Sequence, residues 1–163
     1  MINNVIYTDV TKQIVLLINK LHNEYNIKHI DLSKVRFVLS NYLKDNAVDY
    51  YGSCRPTDQI FIKYVKHEIH YIIEIVYNNI KSFDINRLVL LILHELMHIP
   101  TNGFDINHKH YLTVIEHDYT EFCKIAQLVN GIDWTDRRTK LPDIIKDEKV
   151  IIKKESIMFK EIE

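Results

Sequence analysis

Residues 84–100 read Asp84-Ile85-Asn86-Arg87-Leu88-Val89-Leu90-Leu91-Ile92-Leu93-His94-Glu95-Leu96-Met97-His98-Ile99-Pro100. Six consecutive apolar residues leave no polar face, so a helix through them must be buried between layers. On that helix residues four apart lie on one side, which brings the imidazoles of His94 and His98 together. The Glu95 carboxylate sits about 100° further round. Three polar groups ending an otherwise apolar helix need partners. Two imidazoles at this spacing can hold one divalent ion, flanked by the carboxylate. Ser82 or Asp84 can cap the helix near Ile85. Pro100 stops it, because the residue before proline is pushed out of the helical region, and Thr101-Asn102-Gly103 supplies a turn.

Upstream, Val10, Ile14, Leu17, Ile18 and Leu21 repeat at helical spacing, and Thr8 or Asp9 is a candidate N-cap for a helix reaching about Tyr25. Residues 35–39 and 60–65 read as strands, with Gly52-Ser53-Cys54-Arg55-Pro56 as the loop between them. Residues 70–77 are the clearest strand: Tyr71, Ile73, Ile75 and Tyr77 form an apolar face, and His70, Ile72, Glu74 and Val76 a mixed one. An edge strand beside a metal helix can pair with an extended peptide, a role open to this segment. Glu74 reads as a solvent-facing or paired structural residue. Asn78-Asn79 suits a turn.

Downstream, Ile115, Tyr119, Phe122, Ala126 and Val129 mark another amphipathic helix, ended by Asn130-Gly131. Asp118 and Glu121 resemble a capping box at its start. Beyond it, Trp134 is one anchor in a polar stretch, Leu141-Pro142-Asp143 reads as a turn, and residues 150–152 as a late edge strand.

The chain has 163 residues, 47% hydrophobic and 26% charged, enough for one domain with a core. Its formal charge of −1 comes from 21 basic and 22 acidic residues spread along the sequence, which argues against a nucleic-acid surface. No apolar run approaches the ~18–20 residues a membrane span needs, and the N-terminal region lacks a signal-peptide pattern, so a cytoplasmic location is expected. Cys54 and Cys123 fit neither a disulfide framework nor a cysteine zinc site, and both read as reduced and structural.

The string His94-Glu95-Leu96-Met97-His98 is the HExxH pattern of zinc peptidases. Catalytic Zn2+ takes three protein ligands and leaves a fourth position for water. Spacing permits His108, His110, Glu116, His117 or Asp118 as the third ligand. His117 is favoured because it immediately precedes a capped helix. Glu95 would be the general base, with the metal stabilising the developing oxyanion. His110, Tyr111 and Tyr119 are candidates for a second oxyanion donor. His22, His29, His67 and His70 show no ligand spacing.

Taken together, Tyr71-Ile72-Ile73-Glu74-Ile75, the HELxHIP stretch 94–100, and His117-Asp118 followed by Glu121-Phe122 resemble the putative phage metallopeptidase family. The resemblance implies an α+β minimal zincin-like fold, a small mixed sheet packed against an active-site helix and further helices. It also implies zinc ligands His94, His98 and His117 with Glu95 catalytic. The layout is similar to the SprT-like proteases as well, but lacks their histidine-glycine after the motif and any cysteine zinc ribbon. A single domain over 1–163 is expected, with a core at about 8–131 and an extension at 132–163. The expected partner is a protein or peptide substrate. The alternatives are a non-catalytic zinc-binding interaction module and a SprT-like protease acting on DNA-associated proteins.

Overall fold

The computed structural model describes residues 5–21, 25, 27–41, 50–117 and 122–144. Four strands, β1 (Tyr7–Asp9), β2 (Val35–Ser40), β3 (Gly52–Pro56) and β4 (Tyr71–Val76), form one mixed sheet in the order β1-β2-β4-β3. β2 and β4 are parallel, with Val35 opposite Tyr71 and Ser40 opposite Val76, while β1 and β3 run antiparallel to their neighbours. Among the described residues, five α-helices accompany the sheet: α1 (Thr11–Leu21), α2 (Gln59–Tyr64), α3 (Tyr77–Ile80), α4 (Ile85–Met97) and α5 (Cys123–Leu128). This is the expected small α+β arrangement, and no helix among the described residues is long and apolar enough to cross a membrane.

The period-two pattern of the central strands decides where the core lies. Val35, Phe37 and Leu39 of β2, with Tyr71, Ile73 and Ile75 of β4, are buried on one face. Val10, Ile14, Leu17 and Ile18 of the first apolar stripe join them, as do all six residues of the run 88–93; the side chain of Leu21 lies outside the described residues. Each full burial of such a side chain contributes about 1.5–3 kcal/mol. That is enough to hold α4 inside despite its polar end.

Asp84 caps α4 by accepting from the Arg87 amide at 2.9 Å. Arg87 is itself buried, and its guanidinium donates to the Asp84 carboxylate and to the carbonyls of Asp136 and Thr139. This clamp fastens the segment after α5 to the core, where Trp134, Leu141 and Ile144 are buried in the same cluster. The core therefore continues past residue 131.

Several expectations are corrected. Of residues 60–65, all but the C-cap Val65 are helical, because Asp58 caps the segment through the Ile60 amide and Lys66, at φ 53°, lies just past its end. Gly52-Ser53-Cys54-Arg55-Pro56 is the strand β3, not a loop. Its residues have low strand preference, but pairing with β4 supplies the order, and Pro56 sits at the end of an edge strand, where a missing N–H is tolerated. β4 is consequently central, with neighbours on both sides, and the edge beside α4 belongs to β3. Asn78 and Asn79 lie in the short helix α3, and their amides donate to the carbonyls of Asn41 and Tyr50. Of the predicted helix through Ile115 and Phe122, the described residues are helical over Cys123–Leu128, and residues 113–117 are irregular. Asn130 and Gly131 end it in the left-handed region, as their residue types favour. The proposed Asp118/Glu121 capping box and the strand at 150–152 lie outside the described residues.

Candidate metal centre

Three histidines from two segments meet at the C-terminal end of α4. His94 is in its last turn, His98 is its C-cap residue, and His117 comes from the irregular stretch beyond the loop. Their ring centroids are 5.2 Å (His94–His98), 4.7 Å (His94–His117) and 4.8 Å (His98–His117) apart. One nitrogen from each lies within 4.8 Å of the others, with the His94 and His117 Nε2 atoms at 2.9 Å. Nitrogens bound tetrahedrally to zinc at about 2.0–2.1 Å lie roughly 3.3 Å from one another, so this set fits such an ion with small ring adjustments.

The loop that delivers His117 is held at both ends. The Ile115 amide donates to the His98 carbonyl at 2.8 Å, and His98 Nδ1 contacts the Ile115 carbonyl oxygen at 2.6 Å. A carbonyl only accepts, so Nδ1 carries the proton, and the lone pair of His98 is on Nε2. The buried Tyr71 hydroxyl lies 3.1 Å from the Gly103 carbonyl oxygen and 3.0 Å from that of Thr113. Gly103 must be glycine here, since a Cβ would strike that hydroxyl. Two residues after a double tether, His117 has little freedom. The site thus draws on the pairing between His98 and Ile115.

Phe122 forms an apolar wall, its ring centred 5.5, 4.9 and 5.0 Å from those of His94, His98 and His117. Trp134 stands 6.0 Å from His94. Sequence reasoning treated these two residues as packing only. Their place beside the imidazoles had a faint signal in the aromatic five positions after His117 and none for Trp134.

Glu95 is 4% exposed and lines a cleft of about 500 Å3 together with the three histidines. One wall of the cleft is residues 52–54 of β3 and the other is residues 114–117. Register places Gly52 opposite Ile75 and Cys54 opposite Ile73, hence on the sheet face that meets α4. A Cβ at Gly52 would lie 2.9 Å from Glu95 Oε1, so glycine lets the edge strand approach the carboxylate. Burial and the nearby Glu95 charge push the Cys54 thiol up to about 12, which keeps it protonated and a poor ligand.

The other candidates separate. His108 and His110 stack on each other at 5.2 Å in the loop, and neither they nor Tyr111 line the cleft. Glu116 is exposed on the cleft wall. Asp118 and Tyr119 lie outside the described residues. Glu74 is buried and paired with Arg55 at 2.5 Å, on the sheet face away from α4. Cys54 is half-buried, but Cys123 is exposed, which corrects its structural reading.

The sequence profile of the family described as putative phage metallopeptidase matches residues 4–146. The chain belongs to this family. Membership extends across the sheet, the histidine cluster and the segment clamped by Arg87, so the last of these is part of the phage metallopeptidase pattern. A curated relative, the BRCA1-A complex subunit Abraxas 1 of Salmo salar, is 27% identical over 114 residues. That match covers 69% of this chain but only 26% of the salmon protein. No solved structure matches the chain.

Proposed function

We propose that this phage metallopeptidase family member is a zinc-dependent endopeptidase, with His94, His98 and His117 as ligands and Glu95 as general base. The observation that carries the reading is the convergence of three imidazole nitrogens within 4.8 Å, beside a buried carboxylate in a cleft open to an edge strand. Three neutral imidazoles suit zinc among biological cations. Zinc held there would supply Lewis acidity, acidifying a water and polarising a peptide carbonyl.

The remaining work falls to the chain. The outer edge of β3 offers main-chain groups to an extended substrate, laying its backbone across the cleft. Glu95 Oε1 and Oε2, held under Gly52, take a proton from the attacking water and return it to the leaving amine. Phe122 and Trp134 exclude solvent around the imidazoles, which strengthens their electrostatics. His98, with Nδ1 tied to Ile115, keeps the tautomer that presents Nε2.

The test is Glu95→Gln measured against wild type for zinc content and for hydrolysis of an unstructured protein such as casein. The reading expects about one zinc per chain in both and loss of hydrolysis by at least about a hundredfold in the variant. Hydrolysis that survives the substitution removes Glu95 from the mechanism. Absence of hydrolysis in both proteins, with zinc retained, points to a non-catalytic zinc module.

A further inference from the structure

Outside the cleft, exposed apolar surface concentrates on and around α2. Ile60, Phe61, Tyr64, Val65 and Ile106 are each more than half exposed. Single exposed apolar residues need no explanation, but a cluster of large ones marks a contact surface. α2 buries none of its six residues, so most of these side chains give the fold little packing in return.

Between α2 and the loop after α4 lies a second groove of about 280 Å3, lined by Ile62, Lys63, Ile106, Lys109 and Tyr111 among others. Two ammonium groups and no carboxylate line it. Neither lysine forms an ion pair among the described residues; Lys63 rests 5.6 Å from the centre of the Tyr64 ring. The neighbouring acids Asp58 and Asp105 each turn an oxygen to a backbone amide, those of Ile60 and Asn107. The groove is therefore apolar with a positive rim, which complements an acidic and aliphatic peptide.

The two grooves have no lining residue in common, but the segments that line them are continuous in sequence. β3, one side of the catalytic cleft, leads through Thr57 and Asp58 into α2. Residues 114–117, the other side, follow directly from the loop that carries Ile106, Lys109 and Tyr111. Five positions of sequence lead from Cys54 to Gln59, the first residue of α2, so an extended peptide on the outer edge of β3, advancing about 3.3 Å per residue, runs towards α2.

We propose that this groove is a second recognition site for the enzyme's own substrate, selecting an acidic residue next to an aliphatic one about three to five residues from the scissile bond. It rests on the peptidase reading above, and its test is separable from that reading. The probe is a set of fluorescein-labelled dodecapeptides of Ala and Ser carrying Glu-Leu at successive positions, with Lys-Leu counterparts. Anisotropy with the full-length, zinc-loaded Glu95→Gln protein should show the best Glu-Leu peptide binding about tenfold tighter than its Lys-Leu counterpart. Adding Lys63→Glu and Lys109→Glu together, at unchanged zinc content, should abolish or invert that preference.

Charge-selective binding without hydrolysis by the wild type would sink the peptidase reading and leave the groove standing. Hydrolysis with equal affinity for both peptide series would do the reverse. Retained preference in the double lysine variant overturns the proposal. So does a dimer of the wild-type chain that Phe61→Ser dissociates, which would assign the face to a second copy.

Discussion

Replacing Gly52 by alanine tests how the sheet edge and the Glu95 carboxylate are fitted together. The added Cβ would stand 2.8 Å from the Glu74 carbonyl oxygen, 2.9 Å from Glu95 Oε1 and 3.3 Å from Glu95 Cδ. Comfortable contact for a carbon atom begins nearer about 3.5 Å, so something must move by roughly half an ångström or more. Glu74 belongs to the central strand, paired on both sides, and cannot retreat. The strain therefore falls on β3 or on Glu95. Overpacking of this kind costs about 1–3 kcal/mol. The less flexible unfolded chain of an alanine variant offsets about 0.4–1 kcal/mol of it. A net loss of about 1–2 kcal/mol corresponds to a fall in Tm of roughly 3–6 °C for a protein of this size. If Glu95 acts as proposed, displacing it by about 1 Å costs on the order of a hundredfold in rate. The assays are thermal unfolding followed by circular dichroism, metal content, and casein hydrolysis. Wild-type Tm with activity within twofold of wild type would refute the close packing of β3 on Glu95.

Three further outcomes follow from the same structure. His117→Ala should lower zinc content at least tenfold after dialysis, whereas His108→Ala should retain it, as measured by elemental analysis; the reverse pattern would move the third ligand into the loop. A maleimide at pH 7 should label the exposed Cys123 well ahead of the half-buried Cys54, whose thiol is pushed up to about 12; equal labelling would contradict that shift. Burial lowers the pKa of His70 below its ordinary 6.5, with the Lys34 charge adding to the effect and Asp31 opposing it. Since the unfolded chain binds that proton more readily, the contribution of His70 is fully present above about pH 6.5 and is lost as the pH falls from there toward the lowered folded value. His70→Gln should flatten this part of the stability curve in urea titrations between pH 7 and 5, and an unchanged slope would show that His70 does not titrate there.

The fold was legible where periodicity and burial agree. The strand pattern in 35–39, the alternation over most of 70–77, helical spacing from Val10 to Ile18, and the solid apolar run 88–93 each have one way to be buried, and each lies in the expected type of element except at the ends of the second strand, where β4 starts at Tyr71 and Tyr77 opens α3. Legibility failed where order comes from a neighbour. Gly52 to Pro56 carries turn residues, yet β4 holds it as a strand. Residues 60–65 carry strand residues, yet no sheet edge receives them and Asp58 starts a helix instead.

The site divides in the same way. His94, Glu95 and His98 are read from local spacing, because one helix turn sets their geometry. Sequence favours His117 because it immediately precedes an expected capped helix, whereas the bonds between His98 and Ile115 and the Tyr71 hydroxyl hold its segment, contacts between residues 17 and 42 positions apart. Gly52, Phe122 and Trp134 complete the surroundings from distant segments. No periodicity reports such long-range contacts.

The most direct test of the central claim is zinc K-edge X-ray absorption on the purified full-length protein. A His94, His98 and His117 site predicts one zinc per chain with three imidazole nitrogens at about 2.0–2.1 Å, a further light donor and no sulfur. Absence of bound zinc after reconstitution, or a sulfur scatterer near 2.3 Å that would bring in Cys54, contradicts it.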